Sequence, residues 1–236
     1  MYNYCEFGFI LSELKRGKTV AVRICVLDSS VLPLPESDIT CFGKAENKRL
    51  EEIKNPARRQ ESRAGLIALR KAVGDRDYCD IVRDGYSKPR FERDVGLSFN
   101  ISHSGNLSVA AVCDGGEKRI GVDIELVKEK SFESCLRIAD RYFGESEYEK
   151  LKDSRDISEF YKVWTAREAY SKLLGTGLSW MLGNKNEPVA ALSAFHFSLT
   201  YSGCEYVLCL CTENEANENI DFILDGGIVV VPFKEG

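Results

Sequence analysis

The stretch from Leu97 to Leu126 limits the fold more than any other part of the chain. Three segments rich in apolar and β-branched residues, Leu97 to Ser102, Leu107 to Cys113 and Arg119 to Leu126, are separated by Ser104-Gly105-Asn106 and Asp114-Gly115-Gly116. Short turn clusters between strand-like runs are hairpin signals. The centre of the chain therefore reads as a β-meander. Apolar residues Leu66, Ile67, Leu69 and Val73 recur at helical spacing before it, over about Pro56 to Val73. Two helical stretches follow it, about Phe132 to Phe143 and Ile157 to Leu174, the second stopped by Gly175 and Gly177. Further strands read at Val20 to Leu27, ending before the breakers Pro33 to Pro35, at Phe195 to Tyr201, at Tyr206 to Cys211 and over Gly226 to Phe233. Strand, helix, strands, helices, strands is an α+β order, with no sequence repeat but a loosely similar succession in the two halves.

The length of 236 residues fits one large domain or two small halves. A net charge of −5 speaks against a protein that coats nucleic acid, so any anion site must be local. The nine cysteines are odd in number, scattered and without a Cys-x-x-Cys pair, which reads as reduced thiols in the cytoplasm. Neither a signal-like segment nor an apolar run approaching about 18 residues is present, so no membrane span and a cytoplasmic monomer are expected.

Three short segments carry chemistry-bearing residues. In Gly121-Val122-Asp123-Ile124-Glu125, strand alternation sends Val122 and Ile124 to one face and Asp123 and Glu125 to the other. Two carboxylates on one strand face are either a solvated acidic edge or oxygen ligands of the kind that Mg²⁺ takes together with water and phosphate. On the last helix Phe160, Trp164, Glu168 and Lys172 fall at successive i, i+4 positions, opposite the more apolar Val163, Ala166, Tyr170, Leu173 and Leu174. Glu168 and Lys172 are either a surface ion pair or a carboxylate and ammonium that meet a metal and a phosphate. In Phe99-Asn100-Ile101-Ser102-His103-Ser104-Gly105, one of only two histidines stands at a strand-to-turn junction. It is a surface residue, or part of a turn whose backbone N–H groups can approach an anion. The other, His196, reads as structural. Arg58, Arg59, Arg63, Arg70 and Lys71 load the Pro56 to Val73 helix with positive charge, for water or for a phosphate.

Taken together, Phe99 to Gly105, Gly121 to Glu125 and Trp164-Thr165-Ala166-Arg167-Glu168-Ala169-Tyr170-Ser171-Lys172 resemble the 4′-phosphopantetheinyl transferase superfamily, in particular its monomeric, surfactin-synthetase-activating type. The resemblance implies two similar α+β halves, 1–116 and 117–236, forming a pseudo-dimer with coenzyme A between them. It implies that Asp123, Glu125 and Glu168 hold Mg²⁺, that His103 contacts the 3′-phosphate of coenzyme A with Ser102 beside it near the nucleotide, and that Lys88 lies along the cofactor. Glu168 also matches a group that helps deprotonate the acceptor serine, and Lys172 one that stabilises the departing phosphate. Three departures stand out: Ser87 replaces the glycine of a Gly-Lys-Pro motif, Arg167 replaces a lysine, and Leu66 replaces an arginine, leaving Arg59 or Arg63 for the 3′-phosphate. The implied reaction is transfer of phosphopantetheine to a serine of an apo acyl or peptidyl carrier protein. A metal-dependent phosphohydrolase of coenzyme A-like pyrophosphates and a non-catalytic coenzyme A-binding module are the competing readings.

Overall fold

The computed structural model describes residues 21–30, 42–76, 78–83, 88–115, 119–177, 183–185, 193–213 and 219–233. Val20, Pro33 to Pro35 and Ser87 lie outside the described residues. The elements in chain order are β1 (Ala21–Asp28), α1 (Lys44–Glu52), α2 (Pro56–Val73), β2 (Ile81–Val82), β3 (Arg90–Phe91), β4 (Leu97–Ser104), β5 (Leu107–Asp114) and β6 (Ile120–Leu126). There follow α3 (Phe132–Tyr142), α4 (Glu145–Ser154), α5 (Ile157–Leu174), β7 (Ser193–Tyr201), β8 (Cys204–Thr212), β9 (Asn219–Leu224) and β10 (Val229–Pro232). The fold is α+β. Among the described residues no helix is long and apolar enough to cross a membrane.

Two four-stranded sheets, in the orders β4-β5-β1-β9 and β10-β7-β8-β6, form the frame. β4 and β5 make the expected hairpin around Gly105, whose φ of 56° is one that glycine adopts without strain. The meander stops there. β6 does not pair with β5 but leaves for the second sheet, where it pairs antiparallel with β8. β9, which the sequence pattern does not announce, returns to the first sheet and pairs parallel with β1.

Residue alternation then builds four layers. Val22, Ile24 and Val26 of β1, with Val109 and Ala111 of β5, face Val122 and Ile124 of β6 and Leu208 and Leu210 of β8 in one core between the sheets. The alternate residues Cys25, Leu27, Ala110 and Val112 face outward and are covered by Leu66, Leu69 and Val73 of α2. On the far side Ala166, Ala169 and Leu173 of α5 pack on Cys209 and Cys211 of β8. Full burial of each such aliphatic side chain contributes about 1.5 to 3 kcal/mol, far more than any surface ion pair, so these faces fix where both helices lie.

The helix ends follow local chemistry. Asn55 caps α2 by accepting the Arg58 N–H at 3.2 Å ahead of Pro56, and Asp156 caps α5 by accepting the Ser158 N–H at 2.8 Å. Gly175 ends α5 in the left-handed conformation. α4, unannounced by the sequence pattern, is tied to α5 by buried Arg167, whose Nε and Nη2 donate to Glu147 Oε2 at 2.9 and 2.6 Å. The same Glu147 oxygen accepts the Gly144 N–H at the start of α4.

Candidate active site

The site lies where β6 is crossed by α5 and flanked by β4. Gly121 sets the crossing distance: a Cβ built there would stand 1.9 Å from the Ala169 carbonyl oxygen. No side chain fits, and the absent one lets α5 sit directly on β6 with Glu168 and Lys172 beside Asp123 and Glu125. The helix face read from the sequence is present as such. The Phe160 and Trp164 rings stack at 6.0 Å, and the Trp164 side chain donates a hydrogen bond to Glu168 one turn on.

Each of Asp123, Glu125 and Glu168 brings a carboxylate oxygen within 4.8 Å of the others. Asp123 is only 2% exposed, so the solvated acidic edge is excluded. Its Oδ1 accepts from Lys172 Nζ at 2.6 Å and from Ser102 Oγ at 2.8 Å, while its buried Oδ2 has no hydrogen-bond partner. Glu125 Oε2 accepts from Ser104 Oγ at 2.9 Å. Lys172 also donates to Ser102 Oγ at 2.8 Å. It spans from the helix to a strand of each sheet rather than forming a surface pair along its own helix.

Burial, and then the neighbouring Asp123 charge, push the Glu168 carboxyl up to about 7, against the opposing Lys172 ammonium and the Trp164 hydrogen bond. Glu125 is raised for the same two reasons, with Ser104 and Lys172 opposing. Three clustered carboxylates with one ammonium between them are short of positive charge, and the orphaned Asp123 Oδ2 points to the same deficit. A hard divalent cation with oxygen ligands fits that donor set.

Two other residues singled out in the sequence, His103 and Lys88, are arranged less tightly. His103 is exposed on β4, its Nδ1 3.4 Å from Glu61 Oε2 of α2. Partial burial lowers its pKa, Glu61 opposes that, and Lys172 and Arg58 reinforce it. Lys88 donates to the Ile120 carbonyl, and burial, with Arg119 nearby, lowers its ammonium to about 8. Lys88, Arg83, Asn100, Ile101 and Lys172 line a cavity of about 270 Å³. Arg83 carried no signal in the sequence; its guanidinium is held by Glu46, a residue 2% exposed and 37 positions away, through Nη2–Oε1 at 3.0 Å.

The basic helix does not act as one face. Arg59 donates through Nε and Nη2 to the Ile53 carbonyl at 3.0 and 2.7 Å, Arg70 donates to the Gly74 carbonyl, and Lys71 pairs with Asp225 at 3.6 Å. Arg63 is half-buried on the same helix, and Arg58 is the arginine whose charge reaches His103. His196 sits 3.1 Å from the Lys162 carbonyl, a structural contact. A further cavity of about 220 Å³ opens beside Glu125, lined by Lys128, Lys130, Phe160, Tyr161 and Trp164 among others.

Comparison with known proteins points to one family. Residues 119–222 match the family model of the 4′-phosphopantetheinyl transferase superfamily, a span that takes in Asp123, Glu125, Glu168 and Lys172 but not Lys88 or His103. The chain is similar to the 4′-phosphopantetheinyl transferase AcpT of Escherichia coli K12, at 31% identity over 56% of this chain and 66% of that one. It is similar to the 4′-phosphopantetheinyl transferase psf-1 of Bacillus pumilus, at 36% over 43% of this chain and 42% of that one. With AcpT of Salmonella typhi the identity is 28%, over 72% of this chain and 85% of the relative. The first two alignments thus span just under two thirds and under half of the relatives they match. Motifs, family model and relatives converge on the 4′-phosphopantetheinyl transferase superfamily as the family this chain is similar to.

Proposed function

We propose that this protein transfers the 4′-phosphopantetheine group of coenzyme A to a serine of an apo acyl or peptidyl carrier protein, releasing 3′,5′-ADP, with Mg²⁺ held by Asp123, Glu125 and Glu168. The observation that carries the reading is the buried Asp123: one oxygen is bound by Lys172 and Ser102, and the other is unpartnered beside two further carboxylates. Bound there, Mg²⁺ would neutralise pyrophosphate charge and so ease attack at phosphorus.

The remaining work falls to side chains. Glu168, on the face of α5 beside Asp123 and Glu125, takes the proton of the attacking serine hydroxyl. The serine oxygen bonds to the β-phosphorus as the bond to the 3′,5′-ADP oxygen breaks. Lys172, on the same helix face, stabilises the charge on the departing phosphate. Lys88 lies along the cofactor, His103 with Ser102 beside it meets the 3′-phosphate, and Arg63 or Arg59 of α2 assists. Arg59 would first have to leave the Ile53 carbonyl. In this reading the protein acts as a cytoplasmic monomer of two halves, 1–116 and 117–236, with coenzyme A between them; supporting that division, β4 and β6, which flank the site, belong to different sheets.

The test is incubation with coenzyme A, Mg²⁺ and a panel of apo carrier proteins, followed by intact mass. A gain equal to the phosphopantetheine arm on one carrier, dependent on Mg²⁺, is expected. Cleavage of coenzyme A without a carrier would indicate a hydrolase, and binding without turnover a cofactor-binding module.

A further inference from the structure

β4 and β6 are the facing edges of two different sheets, and side chains of β4 take the place of a backbone ladder between them. Asn100, Ser102 and Ser104, at i, i+2 and i+4, share one strand face. Asn100 Oδ1 accepts the Val122 N–H at 2.9 Å, Ser102 Oγ donates to Asp123 at 2.8 Å, and Ser104 Oγ accepts the Leu126 N–H at 3.0 Å. The one proton of the Ser104 hydroxyl is then directed at Glu125 Oε2, 2.9 Å away. A hydroxyl whose lone pair is fixed by a backbone N–H cannot rotate freely, so the carboxylate it serves is held in one orientation. Two of the three clustered carboxylates are therefore oriented by serines from the strand of the opposite sheet.

We infer that Ser104 is a positioning residue: it orients Glu125 for the cation across the junction between the two sheets, so that metal affinity is set by a strand that supplies no ligand. The inference rests on the metal reading given above. Outer hydrogen bonds to metal-ligating carboxylates typically govern affinity by about 10- to 100-fold. Orientation matters more to Mg²⁺, which demands near-ideal octahedral geometry, than to Ca²⁺, which tolerates irregular coordination. Loss of Ser104 should therefore weaken Mg²⁺ binding and narrow the preference for Mg²⁺ over Ca²⁺.

The experiment is calorimetric titration of Mg²⁺, and separately Ca²⁺, into the parent protein, Ser104→Ala and Ser104→Thr, with thermal melting of each metal-free protein alongside. The expected result is a loss of about 10-fold or more in Mg²⁺ affinity for Ser104→Ala, a smaller loss for Ca²⁺, and recovery in Ser104→Thr, which keeps the hydroxyl. Equal Mg²⁺ affinity in the parent and Ser104→Ala would overturn the positioning role while leaving the metal site standing. Equal proportional losses for both ions, with a lowered melting temperature, would mean general loosening and would overturn it too. A parent protein that binds neither ion would overturn the metal reading itself. Should Ser104→Ala fail to fold, Ser104→Thr and Ser104→Cys carry the comparison, with the weaker thiol donor expected to bind Mg²⁺ less tightly than the threonine.

Discussion

Glu168 and Lys88 are ionisable residues displaced in opposite senses, and each displacement is testable. The Glu168 carboxyl titrates at about 7, against an ordinary value of 4.5, because burial and Asp123 disfavour its charge. In the metal-free protein the fold therefore tolerates the protonated form and loses stability as pH rises from 4.5 through 7. Glu168→Gln, which cannot ionise, should melt higher than the parent at pH 8 without metal and alike at pH 4.5, yet lower single-turnover transfer by at least about 10²-fold. A variant that is active, or no more stable at pH 8, would remove the carboxylate from the role assigned here. Lys88, lowered to about 8 by burial, is mostly neutral at pH 9. If it meets a phosphate of coenzyme A, binding at pH 9 takes up a proton, visible as calorimetric heat that varies with buffer ionisation enthalpy. Lys88→Met should abolish that dependence and weaken binding. At this scale the sequence revealed the carboxylates, because alternation and helical spacing fix which face a residue occupies. It did not reveal Ser104, Arg83 or the engagement of Arg59, whose partners are set by hydrogen bonds between elements distant in sequence.

Among the elements, α5 depends most on close approach. Gly121→Ala would drive a methyl group against the Ala169 carbonyl, which is helix backbone and cannot rotate aside. The expected cost is about 3 kcal/mol in chemical denaturation, with transfer lost because Glu168 and Lys172 move with the helix. Arg167→Lys tests a different contact. The guanidinium is buried against Glu147 and the Lys185 carbonyl, so it joins α4 to α5 rather than facing the carboxylate cluster. Lysine should keep transfer activity but lower stability by about 1 to 2 kcal/mol, checked by melting beside turnover. α2, α5 and the β4–β5 hairpin were legible because caps, turn residues and apolar spacing agree locally. α4 was not, because only Leu151 of its ten residues is buried and its place is fixed by Arg167.

For the whole molecule, the least legible feature was which sheet each strand joins. β6 reads as the third strand of a meander, and only its contact with α5 through Gly121 and with β8 shows that it begins a second sheet. β9 is harder still, since its partner β1 lies at the opposite end of the described chain. Truncation after Glu213 would strip β9 from β1 and uncover Val22, Ile24 and Val26, which share a core with Ile220 and Phe222. Hydrogen exchange in β1 and β5 should then lose most of its protection, although every residue of β4, β5 and α2 remains. Unchanged protection would show that the first sheet is stable without its fourth strand.

The pairing of Ala21 with Asn219 also has a meaning in time. A ribosome adding about 5 to 20 residues per second needs roughly 10 to 40 seconds to travel from one partner to the other. Throughout that interval the nascent β1 presents an open flank of unpaired N–H and C=O groups, the feature that recruits stray strands from neighbouring chains. The hazard is greatest on crowded polysomes, where many copies expose the same flank at once, and it ends only when β9 has emerged to cover it.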